Sequence, residues 1–153
     1  MRRVSGHPVE VGAQAPDFEL RDQHGTPVRL SQFRGRKVVL VFYPLAFSGV
    51  CHSELEALRE FSADAQVLTV SVDSMFTHRA WADQQSYAFP LLSDFWPHGQ
   101  VARAYGVFDE AKGFAHRGTF IVDGEGVIRW SVVNPISEPR DVADYVKALA
   151  DIS

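Results

Sequence analysis

The chain has 153 residues, a hydrophobic fraction of 46% and a formal net charge of −4 at pH 7. This length and composition suffice for one domain with a substantial core, so folding requires neither disulfides nor a metal. The negative charge argues against a nucleic-acid partner, and the longest apolar run, residues 38–43, is too short to cross a bilayer.

The cysteine content and the amino-terminal residues indicate the cellular compartment in which the protein is expected. Two arginines follow Met1 without an apolar stretch after them, which is not the pattern of a signal peptide. Cys51 is the single cysteine, so the chain cannot form an internal disulfide. We therefore expect a cytoplasmic protein with one domain, residues 1–153, and no membrane segment.

The first third of the chain predicts a loose arm followed by a hairpin. Residues 1–12 carry little periodicity. Residues 15–20 alternate polar and apolar side chains around a proline, as in an edge strand, and residues 28–30 can pair with them across a turn at 22–25. Residues 31–35 are typical of a helical turn that ends at a glycine.

The centre of the chain alternates strand and helix patterns. Residues 38–43 are apolar without interruption, as in a strand covered on both faces, and Pro44 ends this strand. Apolar side chains recur with helical spacing in residues 54–61. Four further elements are predicted: a strand at 67–72, a helix at 77–86 with Ala80 and Trp81 facing inward, a short strand within 89–94 and a helical turn at 101–105.

The last third predicts a hairpin and a helix. Residues 119–122 and 127–133 flank an Asp-Gly-Glu-Gly turn, and residues 138–152 form an amphipathic pattern with Val142, Tyr145, Val146 and Leu149 on one face. Strand–helix–strand units require parallel pairing, whereas the hairpin adds antiparallel strands. The sequence therefore predicts an α/β fold, a central mixed β-sheet with helices on both faces.

Cys51 lies where the predicted central strand leads into the predicted helix at 54–61. Open α/β sheets place their sites at the carboxyl ends of strands, and unpaired N–H groups in a first helical turn favour a thiolate. A helix end contributes at most about 2 kcal/mol, so a thiolate at neutral pH requires a nearby cation as well. On these residues alone, the alternative of a small buried apolar side chain stays open.

Several segments together resemble a known family. Pro44-x-x-x-Ser48-x-x-Cys51 is similar to the Pro-x-x-x-Thr/Ser-x-x-Cys signature of the peroxiredoxins, and the resemblance covers about residues 9–149. Further matching blocks follow in order at 15–20, 71–81, 89–94, 105–107 and 117–123. The stretches 44–51 and 93–99 are similar to the AhpE-type, one-cysteine peroxiredoxins of actinobacteria.

The resemblance implies a thioredoxin-like fold and a thiol-dependent peroxidase acting on hydrogen peroxide, organic or lipid hydroperoxides, or peroxynitrite. It assigns Cys51 as the nucleophile and Ser48 and Arg117 as donors to the leaving oxygen. Pro44 would shield the sulfur, and Glu54 would hold Arg117. For Arg117 alone, a solvated charge at a strand end is the alternative, and serine at 48 lacks the methyl group of the commoner threonine.

The single cysteine implies an external reductant. Where some relatives carry a second cysteine on the same helix, this chain has Glu56, and its last residues are Ala-Asp-Ile-Ser. We expect mycothiol, or a glutaredoxin-like or thioredoxin-like protein, to reduce the oxidised sulfur, and we expect no cofactor.

Other readings of the sequence receive less support. The six histidines show no His-x-x-x-His pair, so neither a metal site nor a cysteine–histidine hydrolase is favoured, and His78 is expected in the core or an interface. Phe47 and the Trp96-Pro97-His98 stretch are bulky residues in predicted loops, which indicates a partner surface. The resemblance implies a homodimer through loops around the active site; the alternative is that this surface lines an apolar entrance, which would favour organic or lipid hydroperoxides. For Phe95, Trp96 and Trp81, packing in the core or in an interface is the expectation, rather than stacking on a cofactor. The alternative from another class is a non-catalytic thioredoxin-fold redox sensor or interaction protein.

The absence of a second cysteine generates a first prediction. After one equivalent of hydroperoxide, addition of one thiol equivalent should give a mixed disulfide at Cys51, because no other cysteine in the chain can resolve the sulfenic acid. Intact-protein mass spectrometry measures the adduct, and a Cys51→Ser variant is the blank. Failure to find the adduct at any thiol concentration would contradict the one-cysteine mechanism.

Overall fold

In the computed structural model, the described residues are 8–47, 58, 65–134 and 142–151. Within these ranges, seven strands form one sheet and two short strands form a separate hairpin. The strands are β1 (Glu19–Arg21), β2 (Pro27–Arg29), β3 (Val38–Phe42), β4 (Gln66–Ser71), β5 (Leu91–Ser93), β6 (Phe108–Asp109), β7 (Phe114–Ala115), β8 (Arg117–Val122) and β9 (Ile128–Asn134). The helices are α1 (Met75–Gln85), α2 (Gln100–Ala104) and α3 (Val142–Ala150), and Leu30–Phe33 forms a 3₁₀ turn.

The large sheet is mixed, as the sequence predicts. Its strand order is β2-β1-β5-β4-β3-β8-β9. Strands β3, β4 and β5 run parallel to one another, and β8 pairs antiparallel with β3 and β9. The parallel strands therefore end at one edge of the sheet, which we call the carboxyl edge, and β8 begins at that same edge.

Strand β3 is the centre of the core because both of its faces are apolar and fully buried. Val38, Leu40 and Phe42 belong to one core cluster, which also contains the α2 residues Val101 and Ala102. The opposite cluster is built on the other face of β3, and its members from helical segments are Leu58, Trp81, Ala82, Tyr145, Ala148 and Leu149. Helices thus cover both faces of the sheet, and the α/β expectation is confirmed.

The segment before β1 is irregular, but its described part is not loose. Val9 N–H donates to the Tyr105 carbonyl, and Gly12 N–H donates to the Ile128 carbonyl, so residues 8–12 are fixed to the core. Strand β1 begins at Glu19 rather than at residue 15. The reason is that Ala15 N–H donates to the turn between β8 and β9, at the Gly126 carbonyl, instead of to a hairpin partner.

Two predictions about helices need correction or completion. Helix α1 begins at Met75, because the Ser74 hydroxyl caps it by accepting from Thr77 N–H. Trp81 faces inward as expected, but Ala80 is exposed, since the buried face follows the spacing of His78, Trp81 and Ala82. Leu58 is the one described residue of the predicted helix at 54–61, and it is helical and buried.

Helix α3 occupies the described part of the predicted final helix. Its Tyr145 and Leu149 side chains are buried, in agreement with the predicted apolar face, and residues 138–141 and 152 lie outside the described ranges. None of the helices in the described part of the chain combines the length and the apolar character that a membrane span requires.

Candidate functional site

The carboxyl edge gathers the loops that follow the parallel strands. Residues 44–47 leave β3, and residues 72–74 leave β4 to enter α1. Arg117, the first residue of β8, lies at the same edge because β8 runs against β3. Three chain segments therefore lie where the apolar strand β3 ends, and two of them carry charged side chains, Asp73 and Arg117. The carboxyl ends of strands are the usual location of a site in an open α/β sheet.

The segment that leaves β3, residues 44–47, is anchored at two points. Pro44 is buried, and the backbone N–H of Ala46 donates to Asp73 Oδ2 at 2.7 Å. Phe47 adopts a left-handed conformation with φ of 66°, which is uncommon for an aromatic residue, and its ring lies 5.8 Å from that of the buried Trp81. These contacts fix the backbone at Ala46 and the ring of Phe47 at the carboxyl edge.

A buried polar cluster lies beneath this segment. The Ser71 hydroxyl donates to Asp73 Oδ2 at 2.6 Å, and the same hydroxyl is 2.6 Å from His78 Nε2. The Tyr43 hydroxyl is 3.3 Å from that imidazole nitrogen. His78 has an exposed fraction of 0%, which confirms its placement in the core.

The hydrogen bonds keep Asp73 ionised. Burial alone would raise the pKa of its carboxyl group. The His78 imidazole, whose Nε2 lies 3.8 Å from Asp73 Oδ2, and hydrogen bonds from Ser71 and the Ala46 N–H outweigh burial and lower the pKa of Asp73 below its ordinary value of 3.8. The cluster therefore places a carboxylate, not a carboxylic acid, behind the loop.

Arg117 is buried, with an exposed fraction of only 3%. The pairing of β3 with β8 extends to Val41 and Thr119, and Arg117 lies two residues beyond Thr119, next to the end of β3. Alternation along β8 puts Arg117 on the same face of the sheet as Ile121, and that face is covered by the cluster containing Leu58. The alternative of a solvated strand-end charge is therefore wrong.

The structure describes two of the five predicted site residues. Pro44 and Arg117 both lie at the carboxyl edge, whereas Ser48, Cys51 and Glu54 fall outside the described residues. Sequence reasoning did not assign a role to Asp73. The available signal was its position immediately after the buried strand β4, at the edge where α/β sheets place functional groups.

Exposed aromatic residues form a patch beside β5 and α1. Phe76, Phe95 and Trp96, which we call the aromatic patch, line a cavity of about 520 Å³ with Leu20 and Met75. Phe76 and Trp96 are 75% and 78% exposed, in contrast to Trp81, which packs in the core. Within the described ranges, no three side chains of the metal-binding types come together in one group.

Comparisons with known proteins identify the family and the fold. The model of the AhpC/TSA family matches residues 11–131. Alkyl hydroperoxide reductase E of Mycobacterium tuberculosis is 49% identical over 151 residues, which cover 95% of this chain and 99% of the relative.

Two solved structures share the fold over nearly the whole chain. The crystal structure of Enterococcus faecalis AhpC has a TM-score of 0.83 and 35% identity, and the match covers 92% of this chain and 90% of the other. The reduced 2-Cys peroxiredoxin of Plasmodium vivax has a TM-score of 0.82 and 29% identity, with coverage of 94% and 81%.

The lowered pKa of Asp73 generates a prediction about acid stability. A carboxyl group whose pKa is lowered by folding stabilises the protein fully above its unfolded value of 3.8, and this contribution is lost as the pH falls through the folded pKa. Asp73→Asn removes the titration. We expect the variant to be less stable than the wild type at about pH 6 and the difference to narrow below about pH 4.

Denaturant unfolding of both proteins across this pH range measures the effect. A stability difference that stayed constant with pH would contradict an ionised, hydrogen-bonded Asp73.

Proposed function

Because this chain belongs to the AhpC/TSA family of peroxiredoxins, we propose that it is a thiol-dependent peroxidase that works through Cys51 by a one-cysteine mechanism. The observation that carries the proposal is the position of the single cysteine. Cys51 stands seven residues after Pro44, which is buried at the end of the central strand, and Arg117 is buried at the same edge.

The oxidising half of the reaction consumes the hydroperoxide. The Cys51 thiolate attacks the terminal oxygen of ROOH, the S–O bond forms and the O–O bond breaks. The sulfur is oxidised to sulfenic acid and the peroxide is reduced, because RO⁻ leaves with the electron pair and takes a proton to become ROH. Pro44 excludes water from the sulfur during this step.

Donors fixed around the departing oxygen lower the barrier to attack. The negative charge that develops on RO⁻ is stabilised by N–H and O–H groups that are already in place. We assign this role to Arg117 and to the Ser48 hydroxyl. A guanidinium is charged at every physiological pH and presents several N–H groups in one plane, so Arg117 can serve the thiolate and the peroxide together. Glu54 would orient it.

The reducing half of the reaction requires two thiol equivalents from outside the chain. The first thiol attacks the sulfenic sulfur, releases water and leaves a mixed disulfide at Cys51. A second thiol attacks that disulfide, returns Cys51 to the thiol and leaves as the oxidised reductant. Mycothiol, a glutaredoxin-like protein and a thioredoxin-like protein are the reductants we propose. The requirement for a reducing thiol pool also supports a cytoplasmic location.

We also propose that the protein, with residues 1–153 as one domain, is a homodimer in solution. The aromatic patch supports this assembly because aromatic side chains are enriched in protein interfaces and their exposure to water is unfavourable. Phe47, which is 52% exposed, adds an apolar group on the segment leading to Cys51. The same apolar surroundings favour organic or lipid hydroperoxides over hydrogen peroxide as substrates.

The role of Arg117 is tested by substitution. We expect Arg117→Ala to raise the pKa of the Cys51 thiol and to slow its oxidation by roughly 100- to 1,000-fold, since both the thiolate and the leaving oxygen lose a donor. Arg117→Lys keeps the charge but not the planar fork, and it should recover only part of the rate. Stopped-flow tryptophan fluorescence with a stoichiometric hydroperoxide measures oxidation.

A matched arginine provides the control for this experiment. Arg129 pairs with Asp123 at 3.3 Å near the turn between β8 and β9, at the edge opposite Arg117. Arg129→Ala should leave the oxidation rate unchanged, and Cys51→Ser should abolish the signal. If Arg117→Ala slowed Cys51 oxidation by less than threefold, which corresponds to roughly 0.6 kcal/mol of activation free energy, Arg117 would have a structural role only.

The assembly is tested at Trp96. We expect Trp96→Glu to raise the dimer dissociation constant by at least roughly 30-fold, because a central tryptophan contributes heavily to interfaces. Val11→Glu, at an exposed apolar residue of the amino-terminal segment, should leave the dimer intact. Sedimentation velocity measures both. A monomeric wild type, or a Trp96→Glu protein that remains dimeric, would contradict the assembly.

A further inference from the structure

The cluster of Asp73, Ser71 and His78 has no part in the chemistry assigned to Cys51, Ser48 and Arg117. Its members are nonetheless buried or nearly buried at the carboxyl edge. Burial of a polar group costs free energy unless the group is hydrogen-bonded. A chain of hydrogen bonds in this position indicates a role in holding a neighbouring segment.

The number of available protons defines the direction of each hydrogen bond. The single Ser71 hydroxyl proton is donated to Asp73 Oδ2, because an ionised carboxylate can only accept. The Ser71 oxygen must then accept from His78 Nε2, 2.6 Å away, so His78 carries its proton on Nε2. His78 Nδ1 has no hydrogen-bond partner among the described residues, so Nε2 makes the side-chain hydrogen bond of this ring.

The chain of hydrogen bonds ends at the backbone of the loop. Asp73 Oδ2 accepts from Ser71 on one side and from the Ala46 N–H, at 2.7 Å, on the other. The His78 imidazole therefore donates to the Ser71 hydroxyl, and the Ser71 hydroxyl donates to the Asp73 carboxylate. The Ala46 N–H of the loop donates to the same carboxylate from the other side. Hydrogen bonds to an ionised acceptor are about twice as strong as neutral ones.

Asp73 is itself held in place from two directions. The Ser93 hydroxyl of β5 donates to the Asp73 backbone carbonyl at 2.7 Å, and Asp73 N–H donates to the Ser71 hydroxyl at 3.3 Å. The carboxylate thus has a fixed position relative to β4 and β5. Ala46 precedes Cys51 by five residues, so a fixed Ala46 N–H restricts where the chain can carry the nucleophile.

We propose that Asp73 is a positioning residue of the peroxidase: it links the buried Ser71–His78 pair to the Ala46 N–H and so fixes the loop that presents Cys51 to the peroxide. This role rests on the proposed function, because it acts through Cys51. Asp73 contributes orientation of the loop, while Arg117 and Ser48 contribute charge stabilisation.

Three variants separate this role from general stability. Asp73→Ala removes the acceptor. Asp73→Asn removes the charge but keeps an oxygen that can accept from both Ala46 and Ser71. Asp123→Ala is the matched control, because the Asp123 carboxylate also accepts two loop N–H groups, from Glu125 and Val127, at the opposite edge of the sheet.

The expected rates follow from the geometry. We expect Asp73→Ala to slow Cys51 oxidation by roughly 10- to 100-fold, which is the usual effect of a misplaced reacting group, while Asp73→Asn retains the rate within about fivefold. Asp123→Ala should lose stability without losing rate. If Asp73→Ala does not fold, Ser71→Ala, which keeps the carboxylate but removes the hydroxyl that orients it, should still slow oxidation by roughly threefold or more.

Two further measurements identify positioning as the cause. Alkylation of Cys51 by iodoacetamide above the thiol pKa requires a thiolate but no oriented donors, so Asp73→Ala should change the alkylation rate by less than about threefold. Hydrogen exchange at the Ala46 amide should be slow in the wild type and in Asp73→Asn and fast in Asp73→Ala.

The outcomes distinguish this role from the proposed function. If the wild type oxidises rapidly and Asp73→Ala oxidises equally rapidly, the positioning role is wrong and the peroxidase stands. If Asp73→Asn is as slow as Asp73→Ala while its Ala46 amide stays protected, charge rather than loop position matters, and the role is again wrong. If the wild-type thiol reacts no faster than free cysteine, the proposed function fails and the positioning role fails with it.

Discussion

The complete burial of strand β3 is the constraint on which the rest of the structure depends. Both faces of this strand are apolar, so helices must cover both sides of the sheet, and hydrogen-bonding strands must flank it. The central strand ends before Pro44, where the chain leaves the sheet. Polar groups that belong to the site therefore collect at that edge, because it is the first point at which the central strand meets water and loop backbone.

Two opposite charges at this edge have different surroundings and different tasks. The Asp73 carboxylate accepts from Ser71 and from the Ala46 N–H, so its charge is stabilised locally by hydrogen bonds that also fix the Ala46 backbone. Arg117 is buried on the face of β8 that meets the helical cluster containing Leu58. A guanidinium keeps its charge under burial, which is the property that a lone thiolate requires from a neighbour. The proposed roles therefore differ: the carboxylate positions the loop, and the guanidinium stabilises charge.

Local sequence patterns predicted most helices and strands. They failed where a contact between residues far apart in the sequence determines the structure. Uninterrupted apolar residues identified β3, and the Asp-Gly-Glu-Gly turn identified the β8–β9 hairpin. The inward placement of Ala80 was wrong, because His78 is buried by its polar partners Ser71 and Tyr43, and no hydrophobicity pattern includes such contacts. The late start of β1 at Glu19 likewise depends on Ala15 bonding to a turn far along the chain.

The sequence by itself determined that one sulfur follows the central strand within a peroxiredoxin motif, and that no second cysteine in the chain can form a disulfide with it. These are local or compositional properties, so they require no three-dimensional information. Only the tertiary structure decided that Arg117 is buried next to the end of β3 and that Asp73 reaches the Ala46 N–H. Both depend on which strands pair and in what register, and register follows from the packing of the whole sheet rather than from neighbouring residues.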